Sequence, residues 1–116
     1  ELPVPEVDPS IAFAVRSGED RETIKRYADA YRDGAKLPAV DVYSYPGPSG
    51  PVYLLADGYS RLQARTDCDL PTVPALVRLC KTKEAAEKWA WEHAYRANVE
   101  HGRPRSDKDL HAVLIN

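Results

Sequence analysis

The chain has no methionine, one phenylalanine and two cysteines in 116 residues. Without an initiator methionine it is expected to be a processed or excised piece of a longer protein. Cys68 and Cys80 form no CxxC pair and have no histidine at ligand spacing. That argues against zinc and against a disulfide scaffold. Cys80 closes an alternating apolar pattern and reads as a small core residue. Cys68 lies in the polar turn Asp67-Cys68-Asp69, whereas an activated thiol needs positive surroundings. No apolar run approaches the roughly 20 residues that span a bilayer. The acidic, proline-rich start also lacks the basic and apolar regions of a signal peptide. A cytoplasmic protein with no membrane partner is expected. Charge of one sign is not in excess either. A net charge of −2 argues against a uniformly basic nucleic-acid clamp and leaves a local basic patch open.

What remains is one domain, 1–116, with 29% charged residues and enough chain to bury a core. The proline-punctuated start reads as extended, and the apolar piece from Ile11 to Val15 as strand-like. Asp20 is placed to cap a helix whose Ile24, Tyr27, Ala28 and Tyr31 share a face, with Gly34 as its stop. Val40 and Val42 alternate as in a strand. Tyr45-Pro46-Gly47-Pro48-Ser49-Gly50-Pro51 reads as an irregular loop. A buried strand then ends at Asp57, and a short helix follows through about Arg65. Pro71 and Pro74 bracket a turn, and Ala75, Val77 and Leu79 alternate as a further strand. Thr82 caps a long helix with Ala86, Trp89, Ala90, His93, Ala94 and Ala97 in one stripe. The alanines predict close packing on a sheet, with Trp89 as the bulky anchor. Trp91 lies off the stripe and covers a second surface or meets a partner. Ser106 and Asp109 open one more helix in a capping-box pattern. The fold class expected is α/β (α+β), a small mixed sheet flanked by helices.

Two stretches can carry chemistry. The first is the elbow Asp57-Gly58-Tyr59-Ser60-Arg61. Glycine allows a sharp turn and close approach to the backbone. A helix N-terminus attracts anions, and Arg61 adds a fork of donors suited to phosphate. The alternative is an ordinary strand–turn–helix with a surface arginine. The second is 98–105, read as a loop between two helices that carries Asn98, His101, Arg103 and Arg105. It can contact phosphates or a phosphate-bound metal, or Asn98 and Gly102 can simply end a helix. Asp57 is either a metal ligand or catalytic base, or turn chemistry. Arg16 is a further possible phosphate contact. Tyr59 is a packing or a base-stacking aromatic. His93 reads as a satisfied core histidine, and His111 as a surface residue.

These pieces occur in a familiar order. An arginine comes first, followed by Thr23-Ile24-Lys25-Arg26-Tyr27-Ala28, Gly34 and Leu37-Pro38-Ala39-Val40-Asp41-Val42. Leu54-Leu55-Ala56-Asp57-Gly58-Tyr59-Ser60-Arg61-Leu62-Gln63-Ala64 comes next, and Arg96-Ala97-Asn98-Val99-Glu100-His101-Gly102-Arg103-Pro104-Arg105 last. Over nearly its whole length the chain resembles the N-terminal domain of ParB-like proteins in the ParB/sulfiredoxin superfamily. Within it, the subgroup with a DG-aromatic-HR motif is the most similar. The resemblance implies a compact α/β domain around a small mixed sheet, followed in the parent protein by a helix-turn-helix. Family members act in plasmid or chromosome partition or in transcription regulation. Some bind and hydrolyse CTP with magnesium, some are described as nucleases, and relatives include an ADP-dependent serine kinase and sulfiredoxin.

Compared with the partition proteins' Gly-Glu-Arg-Arg motif, Gly58 and Arg61 are retained, while Tyr59 and Ser60 differ. Compared with their Glu-Asn-x-x-Arg motif, Asn98 is retained, while Ala97 and His101 differ. Tyr59 stands where sulfiredoxin has its nucleophilic cysteine, which removes that chemistry. The resemblance thus implies a nucleotide or phosphate site at Arg16, Gly58, Ser60, Arg61, Asn98, His101 and Arg105. Its ligand is expected to be a nucleoside di- or triphosphate with Mg²⁺, the ion reached through Asn98, and no zinc. DNA, met through the parent protein at a bacterial nucleoid or plasmid, is the expected partner. A nuclease or small-substrate kinase using Asp57 or Glu100 is the alternative. A second alternative is a non-catalytic homodimer domain using Trp91 and Tyr95.

Overall fold

The computed structural model describes residues 1–16 and 20–100, the side chain of Glu100 excepted. A four-stranded mixed sheet in the order β2-β4-β3-β6 forms the centre. Its strands are β2 (Val7–Asp8), β3 (Val40–Gly47), β4 (Gly50–Asp57) and β6 (Ala75–Leu79). β3 and β4 are antiparallel, whereas β2 joins β4 and β6 joins β3 in parallel. A separate small pair joins β1 (Leu2–Pro3) to β5 (Thr72–Val73). The helices are α1 (Ser10–Val15), α2 (Arg21–Arg32), α3 (Tyr59–Asp67) and α4 (Lys83–Glu100).

Alternation along the strands splits the core between the two sheet faces. Val40, Val42 and Leu55 pack with Ile24 and Ala28 of α2 and with Leu62 and Ala64 of α3. Leu54 and Ala56 pack on the other face with Ile11 of α1 and with Ala86, Ala90 and Ala94 of α4. The alanine stripe therefore lies on the sheet as the sequence predicts. The Asp20 carboxylate accepts from the Thr23 amide at 3.2 Å, and the Ala85 amide donates to the Thr82 hydroxyl at 3.1 Å. These two predicted N-caps are present, and each satisfies an amide that the helix leaves without an internal partner; the helix expected from Ser106 lies outside the described residues.

Six local expectations change. The Ile11 to Val15 piece is helical, because Asp8 accepts from the Ser10 amide at 3.0 Å and from its hydroxyl at 2.6 Å. Asp8 precedes the N-cap Pro9, so this is a side-chain turn that starts the helix ahead of the β-like run. The proline-rich loop is instead the end of a hairpin: Pro46 faces Pro51 and Gly47 faces Gly50, leaving Pro48-Ser49 as the turn. The prolines fit because β6 pairs only with Val40 to Ser44 of β3, so Pro46 needs no second-side ladder bond. The segment between Pro71 and Pro74 holds β5 rather than a bare turn. Trp89 is 48% exposed, with the Lys88 ammonium 5.4 Å from its ring centroid. α4 lies too near the sheet for an indole in the seam. β6 alternates without a buried face, and Leu79 is 85% exposed, because β6 is an edge strand. Cys68 is not confined to a polar turn. It packs on the core, and its thiol lies 3.3 Å from the Ala28 carbonyl oxygen.

Candidate functional site

The chain leaves β4 at Asp57 and enters α3 through Gly58, whose φ of 109° is left-handed. A Cβ at Gly58 would lie 2.5 Å from the Val40 Cγ1. The glycine is required by this turn and by its packing on β3, which is a stronger demand than ligand approach alone. α3 has no side-chain N-cap. Its first residues open onto a cavity of about 530 Å³, which α1, α2, the start of β3 and the last turns of α4 also wall.

The structure gathers Arg16, Asp57, Gly58, Ser60, Arg61 and Asn98 around this one cavity. All of the predicted site residues whose side chains are described are therefore brought together. Glu100 continues α4 in its backbone; its side chain, His101 and Arg105 lie outside the described residues. Asn98 belongs to α4, not to a loop, so a rigid helix presents it to the cavity. Thr23, Arg26 and Asp41 also line the cavity, and sequence reasoning had not singled them out as site residues. By sequence, Arg26 and Thr23 read only as residues of a helix. Asp41 between two core valines was the available signal, a charge inside a buried strand pattern.

Three arginines and two aspartates thus face one space. Arg61 is anchored: its Nη1 donates to the carbonyls of Pro38 at 2.9 Å and Ala39 at 3.0 Å. Its Nη2 lies 3.8 Å from Asp57 Oδ2, and its side chain is only 15% exposed. The arginine therefore ties α3 to the segment that leads into β3, and this fixes one rim of the cavity. Arg26 donates to the Thr23 hydroxyl at 3.2 Å, and that hydroxyl donates to Asp20 at 2.6 Å. The Arg16 guanidinium sits 5.5 Å from the centroid of the Tyr59 ring, which also meets Phe13 at 5.2 Å. Tyr59 is buried in the core and holds α1 to α3, so it packs rather than stacks on a base.

Ser60 differs from these. It is 4% exposed, and its Oγ has no hydrogen-bond partner among the described residues. A buried hydroxyl is normally satisfied, so an unpartnered one in a cavity wall fits a ligand oxygen. Across the sheet, Asp41 and Asp57 are paired where the β3–β4 register slips by one residue. Such bulges commonly re-aim side chains at sites. His93 of α4 hydrogen-bonds Tyr43 through Nδ1 at 2.9 Å, the satisfied histidine that its stripe position predicts. Burial raises the Tyr43 pKa above its ordinary value, and the nearby Arg78 opposes the shift.

The fold is that of ParB/sulfiredoxin-like domains. Sulfiredoxin from Arabidopsis thaliana superposes with a TM-score of 0.57 over 78% of this chain and 92% of its own, at 23% identity. C-terminally truncated chromosome-partitioning protein ParB from Caulobacter crescentus, complexed with CTP-γ-S, superposes with a TM-score of 0.61 at 22% identity. That match covers 97% of this chain and 58% of the ParB chain, so this chain spans rather more than half of it. No protein-family model and no curated protein sequence matches. Among the described residues, no helix is long and apolar enough to cross a membrane.

Proposed function

We propose that the cavity binds a nucleoside di- or triphosphate and that the domain is a nucleotide-binding module of a DNA-associated protein acting in partition or transcription regulation. The observation that carries this reading is the buried, unpartnered Ser60 hydroxyl at an uncapped helix N-terminus inside an arginine-lined cavity. Helix N-termini favour negative charge. Arginine forks match phosphate oxygens in geometry as well as charge. The volume falls in the range of small-molecule sites. The Caulobacter ParB of the same fold carries a CTP analogue, which supports a nucleotide over free phosphate. Gly58, Ser60 and Arg16 would meet phosphate oxygens. Asn98 would reach a phosphate-bound Mg²⁺ from the opposite wall, the ion supplying neutralisation of phosphate charge. DNA would be met through the parent protein.

Isothermal titration with CTP, ATP, ADP and GTP, with and without Mg²⁺, tests the reading. One of them is expected to bind saturably, with the affinity reduced in Ser60→Ala. No heat with any of the four would reject it.

A further inference from the structure

Asp41, Asp57 and His93 each bring one ligand atom to within 4.8 Å of the other two. Asp41 and Asp57 are cross-strand partners, an arrangement that like charges oppose. Their arginine neighbours leave this opposition incompletely answered. Arg78 reaches only one oxygen of Asp41, at 3.0 Å. Arg61 stays 3.8 Å from Asp57, beyond hydrogen-bond length, because its Nη1 serves two backbone carbonyls. The second oxygen of Asp41 faces the His93 Nε2 at 3.7 Å. The other ring nitrogen of His93 is held by the Tyr43 hydroxyl. The Tyr43 contact on Nδ1 fixes the ring with Nε2 facing Asp41, as an outer hydrogen-bond partner orients a metal-binding histidine.

We propose that these three side chains form a divalent-cation site of the Mn²⁺ class. Two carboxylates and one imidazole make a mixed oxygen–nitrogen set. Mg²⁺ takes oxygen ligands almost alone, whereas Mn²⁺ accepts such a mixture. A cation held at about 2.1 Å sets adjacent ligand atoms about 3 Å apart, so the trio closes slightly around it. All three side chains are partly exposed, and the adjustment is made within their contacts to Arg78 and Tyr43. Three protein ligands leave positions of a six-coordinate ion open to water or to phosphate oxygens. Two of the three ligands, Asp41 and Asp57, line the cavity in which Ser60 buries a hydroxyl without a partner among the described residues. A phosphate entering that cavity would meet both carboxylates as well as the arginines, and a cation between the carboxylates would lower their opposition to it. This bridging role rests on the proposed nucleotide function. The cation site itself does not.

Mn²⁺ alone is therefore titrated into the metal-free protein without nucleotide, and the electron paramagnetic resonance signal of free Mn²⁺ is followed. One ion per chain is expected to bind, with ¹⁴N modulation of the bound signal from His93. His93→Gln should abolish the modulation, and both it and Asp41→Asn should weaken binding roughly 10-fold or more; Tyr43→Phe should weaken it by about 10-fold through lost orientation. If Asp41→Asn does not fold, His93→Gln decides the matter through the ¹⁴N signal. No binding at millimolar Mn²⁺, or equal binding by wild type and His93→Gln, overturns the proposal. Mn²⁺ binding without any nucleotide binding upholds the cation site while rejecting the nucleotide function. Nucleotide binding without a Mn²⁺ site does the reverse.

Discussion

Ser60 and Gly58 are neighbours with opposite demands. Ser60 buries a hydroxyl that stabilises nothing among the described residues. Ser60→Ala is expected to leave stability unchanged or raise it, since an unsatisfied buried polar group costs about 1–3 kcal/mol. The same variant should lose roughly 5- to 10-fold in nucleotide affinity, about one hydrogen bond's worth. Urea unfolding and titration of one preparation check both halves. A large loss of stability would show that the hydroxyl is structural. Gly58→Ala acts differently, because its Cβ would strike Val40 and its φ is left-handed. A destabilisation of about 2–4 kcal/mol is expected from backbone strain plus overpacking. Arg61→Ala is a poor probe of binding alone, since it also frees the Pro38 and Ala39 carbonyls. Gly58 and Arg61 were legible in the sequence as an elbow. That Arg61 also braces the cavity wall depends on residues more than 20 positions away, which no local pattern encodes.

At the scale of elements, the alanines of α4 set how near the helix lies to the sheet. Ala86, Ala90, Ala94 and Ala97 are buried, whereas Trp89 on the expected stripe is largely exposed. Ala90→Leu should cost about 1–3 kcal/mol by overpacking the seam. Trp89→Ala should change stability by less than about 1 kcal/mol, as exposed substitutions usually do. Thermal or urea unfolding separates the two; a larger loss from Trp89→Ala would reverse the assignment. The periodicity of α4 was readable from sequence because 3.6-residue spacing shows in composition. Which bulky residue enters the seam was not, because that follows from the distance to β4. α1 shows the same limit: the Ile11 to Val15 run suits either state, and the Asp8–Ser10 contact selects helix.

For the molecule as a whole, pH offers a test of the two-sided core. Tyr31 of α2 packs against the core beneath Arg65, whose guanidinium lies 4.8 Å from the ring centroid. Burial pushes its pKa above the ordinary 10.0, although Arg65 pulls the other way. The folded chain therefore holds this proton to higher pH than the unfolded chain. Stability from Tyr31 is complete below about pH 10 and falls as pH rises through the raised folded value, because the unfolded state then binds fewer protons. Urea midpoints at increasing alkaline pH should decline less steeply in Tyr31→Phe than in wild type. Parallel declines would show that the phenol is not responsible.

The sequence alone determined the element types with strong periodicity, the helix caps at Asp20 and Thr82 and the glycine elbow, since each depends on neighbours within a few residues. It also determined which residue types were available for phosphate. The tertiary structure alone decided that Arg16, Asp57, Ser60, Arg61 and Asn98 share one cavity. It also decided that a one-residue slip sets Asp41 against Asp57 under His93. Those juxtapositions arise from sheet register and from the alanine-set depth of α4, and long-range packing fixes both.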